Sequence, residues 1–121
     1  MIEVINSIAA FQEIPFSDFL RLDIRVGQII DVRENEKSRH PAFILTIDFG
    51  DLGIKTSSAQ ITDNYSKDTL IGKQIIAIIN FTPKRVAGVK SEVLVLAAVC
   101  QTSGTVLIEV NLPVKNGVRI S

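Results

Sequence analysis

The chain has very little of the two side chains that build most metal and nucleophilic sites. Its 121 residues contain one cysteine, Cys100, and one histidine, His40. A single cysteine excludes an internal disulfide and a metal cluster built on thiolates. A catalytic triad or a zinc site needs more partners than these two residues supply, so we expect a protein that is not an enzyme and that holds no metal or cofactor. Cys100 ends the apolar run VLVLAAVC, which predicts a buried, inert thiol.

Long apolar runs are also missing. The longest has about eight residues, whereas a membrane-spanning helix needs roughly 20. The N-terminal stretch MIEVINSIAAF contains Glu3 and no Lys or Arg, unlike a secretory signal. We therefore expect a cytoplasmic protein without membrane insertion.

Net charge is absent overall but unevenly distributed along the chain. Residues 1–36 carry three basic and seven acidic side chains, residues 37–90 carry eight and four, and residues 91–121 balance. The basic middle segment fits either a phosphate-binding face or ordinary surface charge. The composition is 46% hydrophobic, which indicates apolar surface left over for a partner, most simply a second copy of the chain.

The first part of the body shows the alternation that is typical of half-buried β-strands. In DIRVGQIIDVR it places on one face Ile24, Val26, Ile30 and Val32. Gly27 inside this segment predicts a bulge or a bend. In AFILTIDF the alternation directs inward Phe43, Leu45, Ile47 and Phe49.

The later strands are apolar on both faces. The segments QIIAII and VLVLAA predict strands covered twice, and TVLIEV predicts a last strand starting at Thr105. Between them, NYSKDTLIG is long enough for one short helix ended by Gly72. The pattern predicts an all-β fold, a five-stranded Greek-key barrel of the OB type with one short helix and extensions at both termini.

The N-terminal region has helical rather than strand spacing. Its apolar positions are Ile2, Ile5, Ile8 and Ala9. Ser17 is a plausible N-cap for a short turn that follows. We expect residues 1–16 to form an N-terminal arm, either packed on the domain or available as a partner-binding helix. Residues 17–121 are predicted to form a single domain.

The stretch NFTPKRVAGVKSE, residues 80–92, places a basic turn between two apolar strands. Pro83 stiffens the turn, and Gly88 supplies a position that tolerates positive φ. The cations Lys84, Arg85 and Lys90 are candidates for phosphate contacts, since each contact releases counterions from the nucleic acid. Polar partners for bases are available from Asn80, Ser91 and Glu92. A solvated hairpin loop is the alternative interpretation.

Three segments, DIRVGQI, IKTSSAQIT and NFTPKRVAGVKSEVLVLAA, resemble successive landmarks of the tRNA-binding OB-fold domain. That domain is appended to methionyl-tRNA synthetases and to the β subunit of the phenylalanyl enzyme, and it also stands alone in small dimeric proteins. Among the stand-alone forms, the sequence most resembles the CsaA-type export-related chaperones. The resemblance covers about residues 19–121 and implies a homodimer of OB barrels.

The resemblance also implies site residues. The implied RNA-binding residues are Lys55, Asn80, Lys84, Arg85, Lys90, Ser91, Glu92 and Leu94. The family signature Ser-Glu-Gly-Met is Ser91-Glu92-Val93-Leu94 here, which removes a close backbone approach and a soft methionine surface. Candidates for lining a polypeptide groove are Phe81, Val86 and Val89. The alternative is that these apolar residues only pack the turn onto the barrel.

The resemblance therefore implies two functions. The first is a chaperone that holds unfolded or pre-export polypeptides in an apolar groove at a homodimer. The alternative is a module that binds tRNA or another structured RNA, and a dimerisation module without a ligand is a third interpretation.

Overall fold

The computed structural model describes residues 10–121 as a small β-barrel with short flanking elements. The elements are α1 Phe16–Leu20, β1 Ile24–Glu34, β2 Phe43–Asp48, a 3-10 turn Gly50–Leu52, β3 Ile54–Ala59, α2 Lys67–Leu70, β4 Gln74–Ile78, β5 Lys84–Val86, β6 Val89–Ser91, β7 Leu94–Val95, β8 Ala97–Cys100 and β9 Gly104–Leu107. No helix among these residues is long and apolar enough to cross a membrane. The predicted helical pattern at Ile2, Ile5, Ile8 and Ala9 lies outside the described residues.

Five antiparallel strands form the barrel sheet in the order β3-β2-β1-β4-β7. The free edge of β3 then meets the chain that follows β6, where Glu92 N donates to Thr56 O at 2.8 Å. This contact nearly closes the sheet on itself. The predicted OB-type barrel is confirmed, and α2 lies between β3 and β4 as expected.

The inward faces of β1 and β2 contribute many of the core residues, and α2, β4, β7 and β9 add to them. Phe43, Leu45, Ile47 and Phe49 are all buried, as the alternation predicted. Ile30 is 42% exposed while Ile29 is fully buried, so the predicted inward position of Ile30 is wrong. The reason is a β-bulge: Ile29 pairs with Ile47 and Asp31 with Thr46, which leaves Ile30 without a partner on β2.

Gly27 does not mark that bulge but makes room for the core. A Cβ at this position would lie 2.6 Å from Ile47 Cγ2 and 2.6 Å from Phe49 Cε1. Both distances are far below van der Waals contact, so only glycine lets β1 pass this close to the Phe49 ring.

The C-terminal segment crosses the barrel and extends β1 where β2 does not reach. Gly117 N donates to Val26 O at 2.7 Å, and Val26 N donates to Val118 O at 2.9 Å. Ile120 N donates to Ile24 O at 2.8 Å. The predicted C-terminal extension is therefore an integral part of the sheet.

Two predictions at the helices have different outcomes. Ser66 caps α2 in a capping box with Thr69, and Gly72 follows with φ 93°, as expected for the end of a helix. Ser17 is not an N-cap: α1 begins at Phe16, and its N-cap is Pro15, which makes no side-chain cap hydrogen bond. Residues 10–15 are exposed and have no regular structure in the single chain.

Cys100 is exposed, so the prediction of a buried thiol is wrong. The apolar run continues from β7 into β8, but β8 pairs only with β9 in a hairpin outside the barrel sheet. The end of this run therefore leaves the core before it reaches the cysteine.

Candidate binding face around the β5–β6 hairpin

The basic turn folds as a short hairpin with a two-residue loop. Lys84 pairs with Ser91, Arg85 with Lys90 and Val86 with Val89. Ala87 and Gly88 form the loop with φ values of 47° and 82°, so the predicted positive φ of Gly88 is confirmed. Two successive left-handed residues match the twist of a hairpin. Ala87 in this region is strained, since a side chain there costs about 1–2 kcal/mol.

The three predicted cations of the hairpin are all exposed. Arg85 Nη1 donates to Gly88 O at 3.3 Å, which holds the guanidinium over the loop. Lys37, from the β1–β2 loop, lies beside these cations: its Cδ would be 3.1 Å from a Cβ added at Gly88. We call this surface, made by residues 35–42 and 84–91, the hairpin face.

Three cations of the hairpin face keep their charge available for a ligand. The described residues form ion pairs between Arg25 and Asp23, Arg33 and Asp31, and Lys73 and Glu109. Within residues 10–121, no carboxylate therefore forms an ion pair with Lys37, Arg85 or Lys90. Sequence reasoning missed Lys37, which lies almost fifty residues before the hairpin and is brought to it only by the barrel.

Lys55 does not share the hairpin face. It pairs in register with Ile47, whose side chain is buried in the barrel. Cross-strand partners lie on the same side of a sheet, so Lys55 starts on the inner face of β3 and is half-buried. Its predicted RNA contact stays a prediction.

Asn80 ties the end of β4 to the segment that enters β1. Its Oδ1 accepts from Asp23 N at 2.9 Å, and its Nδ2 donates to Arg21 O at 2.7 Å. Both ends of the amide are thus engaged within the chain, and the predicted reading of a base by Asn80 stays a prediction.

Ser91 and Glu92, the Ser-Glu pair of the signature, close the barrel. Ser91 is fully buried, and its Oγ accepts from Ser58 N at 3.1 Å. Glu92 Oε1 accepts from Thr56 N at 3.2 Å, beside the backbone bond between the same two residues. These side chains replace ladder hydrogen bonds between β3 and the chain after β6. Leu94 is half-buried in β7 opposite Ile78.

An apolar cleft lies between the hairpin and the barrel. It has a volume of about 230 Å3 and is lined by Glu34, Asn35, Glu36, Lys37, Ile44, Ala87, Gly88 and Val89. We call it the hairpin cleft. Of the three predicted polypeptide-binding residues, Val89 lines it, Val86 is half-buried in the hairpin, and Phe81 is 41% exposed in the turn before it.

A cavity of about 570 Å3 lies under the C-terminal segment. Its polar groups already hold that segment in place. Gln74 Nε2 donates to Val114 O at 2.6 Å, and Asn116 Nδ2 donates to Gln28 Oε1 at 3.2 Å. This arrangement explains the cavity as a structural crossing rather than as a ligand site.

Cys100 lies in the turn between β8 and β9. Hydrogen bonds from the Thr102 hydroxyl and from the Ser103 backbone lower the pKa of the thiol to about 6. Since the thiolate is the reactive form, this lowered pKa increases the fraction of Cys100 that is reactive at neutral pH. Among residues 10–121, no group of His, Cys, Asp and Glu is arranged to hold a metal ion.

Solved structures with this fold include two chaperones. The chain is 51% identical to the chaperone CsaA of Bacillus anthracis, covering 91% of this chain and 100% of that one, with a TM-score of 0.87. It is 46% identical to the CsaA chaperone protein of Picrophilus torridus, covering 90% and 100%, with a TM-score of 0.84.

A longer relative is the methionine–tRNA ligase of Thermococcus onnurineus, 33% identical over 85 residues. The match covers 70% of this chain but only 11% of the ligase, so the chain corresponds to a small part of that enzyme. A family model described as "Putative tRNA binding domain" matches residues 24–119. The chain therefore belongs to the tRNA-binding domain family, a family of binding domains.

Proposed function

We propose that this chain is a cytoplasmic, non-enzymatic protein that holds unfolded or pre-export polypeptides, as a homodimer. The observation that carries the proposal is the hairpin cleft, where an apolar lining lies beside charged residues of both signs. The likeness to the CsaA chaperones supports it, because it extends over the whole length of those chains.

The hairpin cleft suits the side chains of an extended polypeptide. Its apolar lining includes Ile44, Ala87 and Val89, and its charged lining is Glu34, Glu36 and Lys37. A volume of about 230 Å3 holds one or two apolar side chains. Each buried apolar side chain contributes about 1.5–3 kcal/mol, so one cleft alone binds weakly. Carboxylates and an ammonium of the charged lining can hydrogen-bond to backbone amides of any sequence.

Because one cleft binds a polypeptide weakly, a second copy of the chain in a homodimer is important for function. Two clefts on one dimer raise the effective concentration for a polypeptide that spans both. The single chain exposes large apolar side chains at both ends: Phe16 is 71% exposed and Leu112 is 70% exposed. Such residues on α1 and the C-terminal segment are the surface that we assign to the partner copy. Light scattering at several concentrations tests this assignment, and a monomer at all concentrations would contradict it.

A matched pair of variants tests the hairpin cleft. We expect Val89→Ser to weaken binding of a labelled, unfolded reporter polypeptide about tenfold, since it replaces an apolar side chain of the cleft lining with a polar one. Val106→Ser removes the same atoms from an exposed position on β9 and should leave binding within about twofold. Fluorescence anisotropy gives both affinities. Equal weakening in the two variants, or none in either, would argue against the hairpin cleft.

A second candidate function, binding of tRNA or another structured RNA, is supported by the cations of the hairpin face. Phosphate contacts made by exposed cations recognise the backbone shape of folded RNA rather than an extended sequence. The base-reading candidates Asn80, Ser91 and Glu92 make hydrogen bonds within the chain, which favours this shape recognition further.

Salt dependence separates the two candidates. If RNA binds, the slope of log K against log salt should fall by about 0.7–0.9 for each phosphate contact that the triple variant Lys84→Ala, Arg85→Ala, Lys90→Ala removes. The control triple, Arg21→Ala, Lys115→Ala, Arg119→Ala, makes the same charge change at other exposed positions, and the slopes are compared after light scattering shows the same assembly state for both triples. Equal slopes in the two triples would exclude the hairpin face as an RNA site. Binding of apolar polypeptides should be nearly independent of salt.

A further inference from the structure

A separate pocket lies at the end of the barrel where the β1–β2 loop meets the connection between β3 and α2. It has a volume of about 430 Å3 and is lined by Glu34, Asn35, Glu36, Pro41, Ala42, Phe43, Thr62, Tyr65, Ser66 and Lys67. This end pocket shares residues 34–36 with the hairpin cleft, so the two are neighbours. Its size falls in the range of small-molecule sites.

Asn35, which lines both the end pocket and the hairpin cleft, has a buried amide donor without an acceptor. Asn35 is 7% exposed, and its Nδ2 is buried without a hydrogen-bond partner. Its other groups are engaged: Oδ1 accepts from Lys37 N at 3.2 Å, and the backbone N donates to Ala42 O at 2.9 Å. The bond to Lys37 fixes which end of the amide is the oxygen. A buried, unpaired N–H is destabilising by about 1–3 kcal/mol, so a small movement of the Asn35 amide that brings Nδ2 to a ligand acceptor would relieve that cost.

Carboxylates and flat apolar surface also line the end pocket. Glu34 and Glu36 are exposed, and neither forms an ion pair within the described part of the chain. Tyr65 is half-buried, and its hydroxyl accepts from Leu107 N at 2.9 Å, which holds its ring in place. The ring and the side chain of Phe43 contribute apolar surface to the pocket wall.

We propose that the end pocket binds one unstacked nucleobase that carries an exocyclic amino group: adenine, cytosine or guanine. The carboxylates accept from the amino group, Asn35 donates to the neighbouring ring nitrogen or carbonyl, and the ring of Tyr65 packs against the base. Uracil has no exocyclic amine: its N3–H can donate to one carboxylate, but the carbonyls on either side of it would face the other carboxylate unfavourably. A cationic side chain fits less well, because Asn35 Nδ2 and Lys67 both offer donors.

The site goes beyond polypeptide holding and adds base recognition to the RNA candidate. An RNA whose phosphates contact Arg85 and Lys90 on the hairpin face would run close to the end pocket, which would take a base from an unpaired segment. Because the test uses free nucleosides, it does not depend on RNA binding by the hairpin face.

The test is titration of the isotopically labelled full chain with adenosine, cytidine, guanosine and uridine up to about 10 mM, since isolated nucleosides bind weakly. Amide shifts should appear at residues 34–36, 62 and 65–67 for the three amino-bearing nucleosides, and uridine should bind clearly more weakly. Glu34→Gln, Glu36→Gln should weaken that binding at least about tenfold, as expected for losing charged hydrogen bonds. Asp51→Asn, Asp63→Asn makes the same charge change outside the end pocket and should change it less than about twofold.

The outcomes separate this proposal from the functions proposed above. Equal binding of uridine, shifts confined to other residues, or equal affinity in the two double variants would overturn the base pocket. RNA binding without any nucleoside shifts would also overturn it, while leaving the hairpin face as an RNA site. Nucleoside shifts at the expected residues in a protein that binds no RNA would support the pocket and remove the RNA candidate.

Discussion

Ser91 provides the sharpest test of whether the Ser-Glu pair closes the barrel or contacts a ligand. Its Oγ is fully buried and accepts the Ser58 N–H at 3.1 Å. Ser91→Ala removes this acceptor and adds no bulk. Loss of a buried hydrogen bond that leaves one partner without its acceptor is destabilising by about 1–3 kcal/mol.

The loss of stability in Ser91→Ala should stay within that range, because other hydrogen bonds also close the barrel. Glu92 and Thr56 are joined by two hydrogen bonds, one of 2.8 Å between backbones and one of 3.2 Å to the carboxylate. Those bonds keep β3 attached when Ser91 changes. The total free energy of unfolding of a small domain is about 5–15 kcal/mol. The Ser91→Ala variant should therefore fold, but it should unfold at a lower urea concentration than the parent chain.

Urea unfolding followed by far-ultraviolet circular dichroism measures the change, since the chain has no tryptophan. Ser17→Ala, at an exposed position in α1, is the control and should shift the free energy of unfolding by less than about 0.5 kcal/mol. Ligand affinity of folded Ser91→Ala should match that of the parent chain. Unchanged stability together with abolished binding of RNA or polypeptide would refute the closure role.

Three further predictions concern other single positions. Ala87→Asn should raise the free energy of unfolding by about 1 kcal/mol, because asparagine tolerates the left-handed φ and Asn-Gly is a favoured hairpin loop; an unchanged or lower value in urea unfolding would show that Ala87 is not strained. Gly27→Ala should lower the free energy of unfolding by about 1–3 kcal/mol, because the added methyl group clashes with Phe49. An unchanged free energy of unfolding would contradict the close packing. The alkylation rate of Cys100 should rise with pH through a midpoint near pH 6, since the thiolate forms as the pH rises through the pKa. Thr102→Val should move this midpoint upward, because it removes a hydrogen bond to the sulfur. A midpoint near the ordinary thiol value of 9.0 in the parent chain would count against the hydrogen-bonded turn.

The fold was largely predictable because its strands follow a local pattern. Phe43, Leu45, Ile47 and Phe49 alternate strictly, and all four are buried. The alternation failed at Ile30, because a bulge depends on pairing with β2 and leaves no signal in the sequence of β1 alone. The prediction that the Cys100 thiol is buried was wrong for a similar reason, since hydrophobicity alone does not show where a strand leaves the barrel sheet.

The candidate site was predictable only where its residues are neighbours in sequence. Lys84, Arg85 and Lys90 are exposed on the hairpin that Gly88 helps to turn. Lys37 joins them across the fold, which no local pattern indicates. The hydrogen bonds by which Ser91 and Glu92 close the barrel were also not predicted from the sequence. A family signature indicates that these residues are required, but it does not show whether they stabilise the fold or bind the ligand.

The most direct test of polypeptide holding is a residue-by-residue map of the bound ligand. An unfolded reporter polypeptide would be titrated into the isotopically labelled chain while amide shifts are followed at moderate and high salt. Polypeptide holding predicts shifts at Ile44, at Phe81 and across residues 84–91 that persist at high salt. Shifts confined to β8 and β9 or to the C-terminal segment, or no shifts at all, would contradict it.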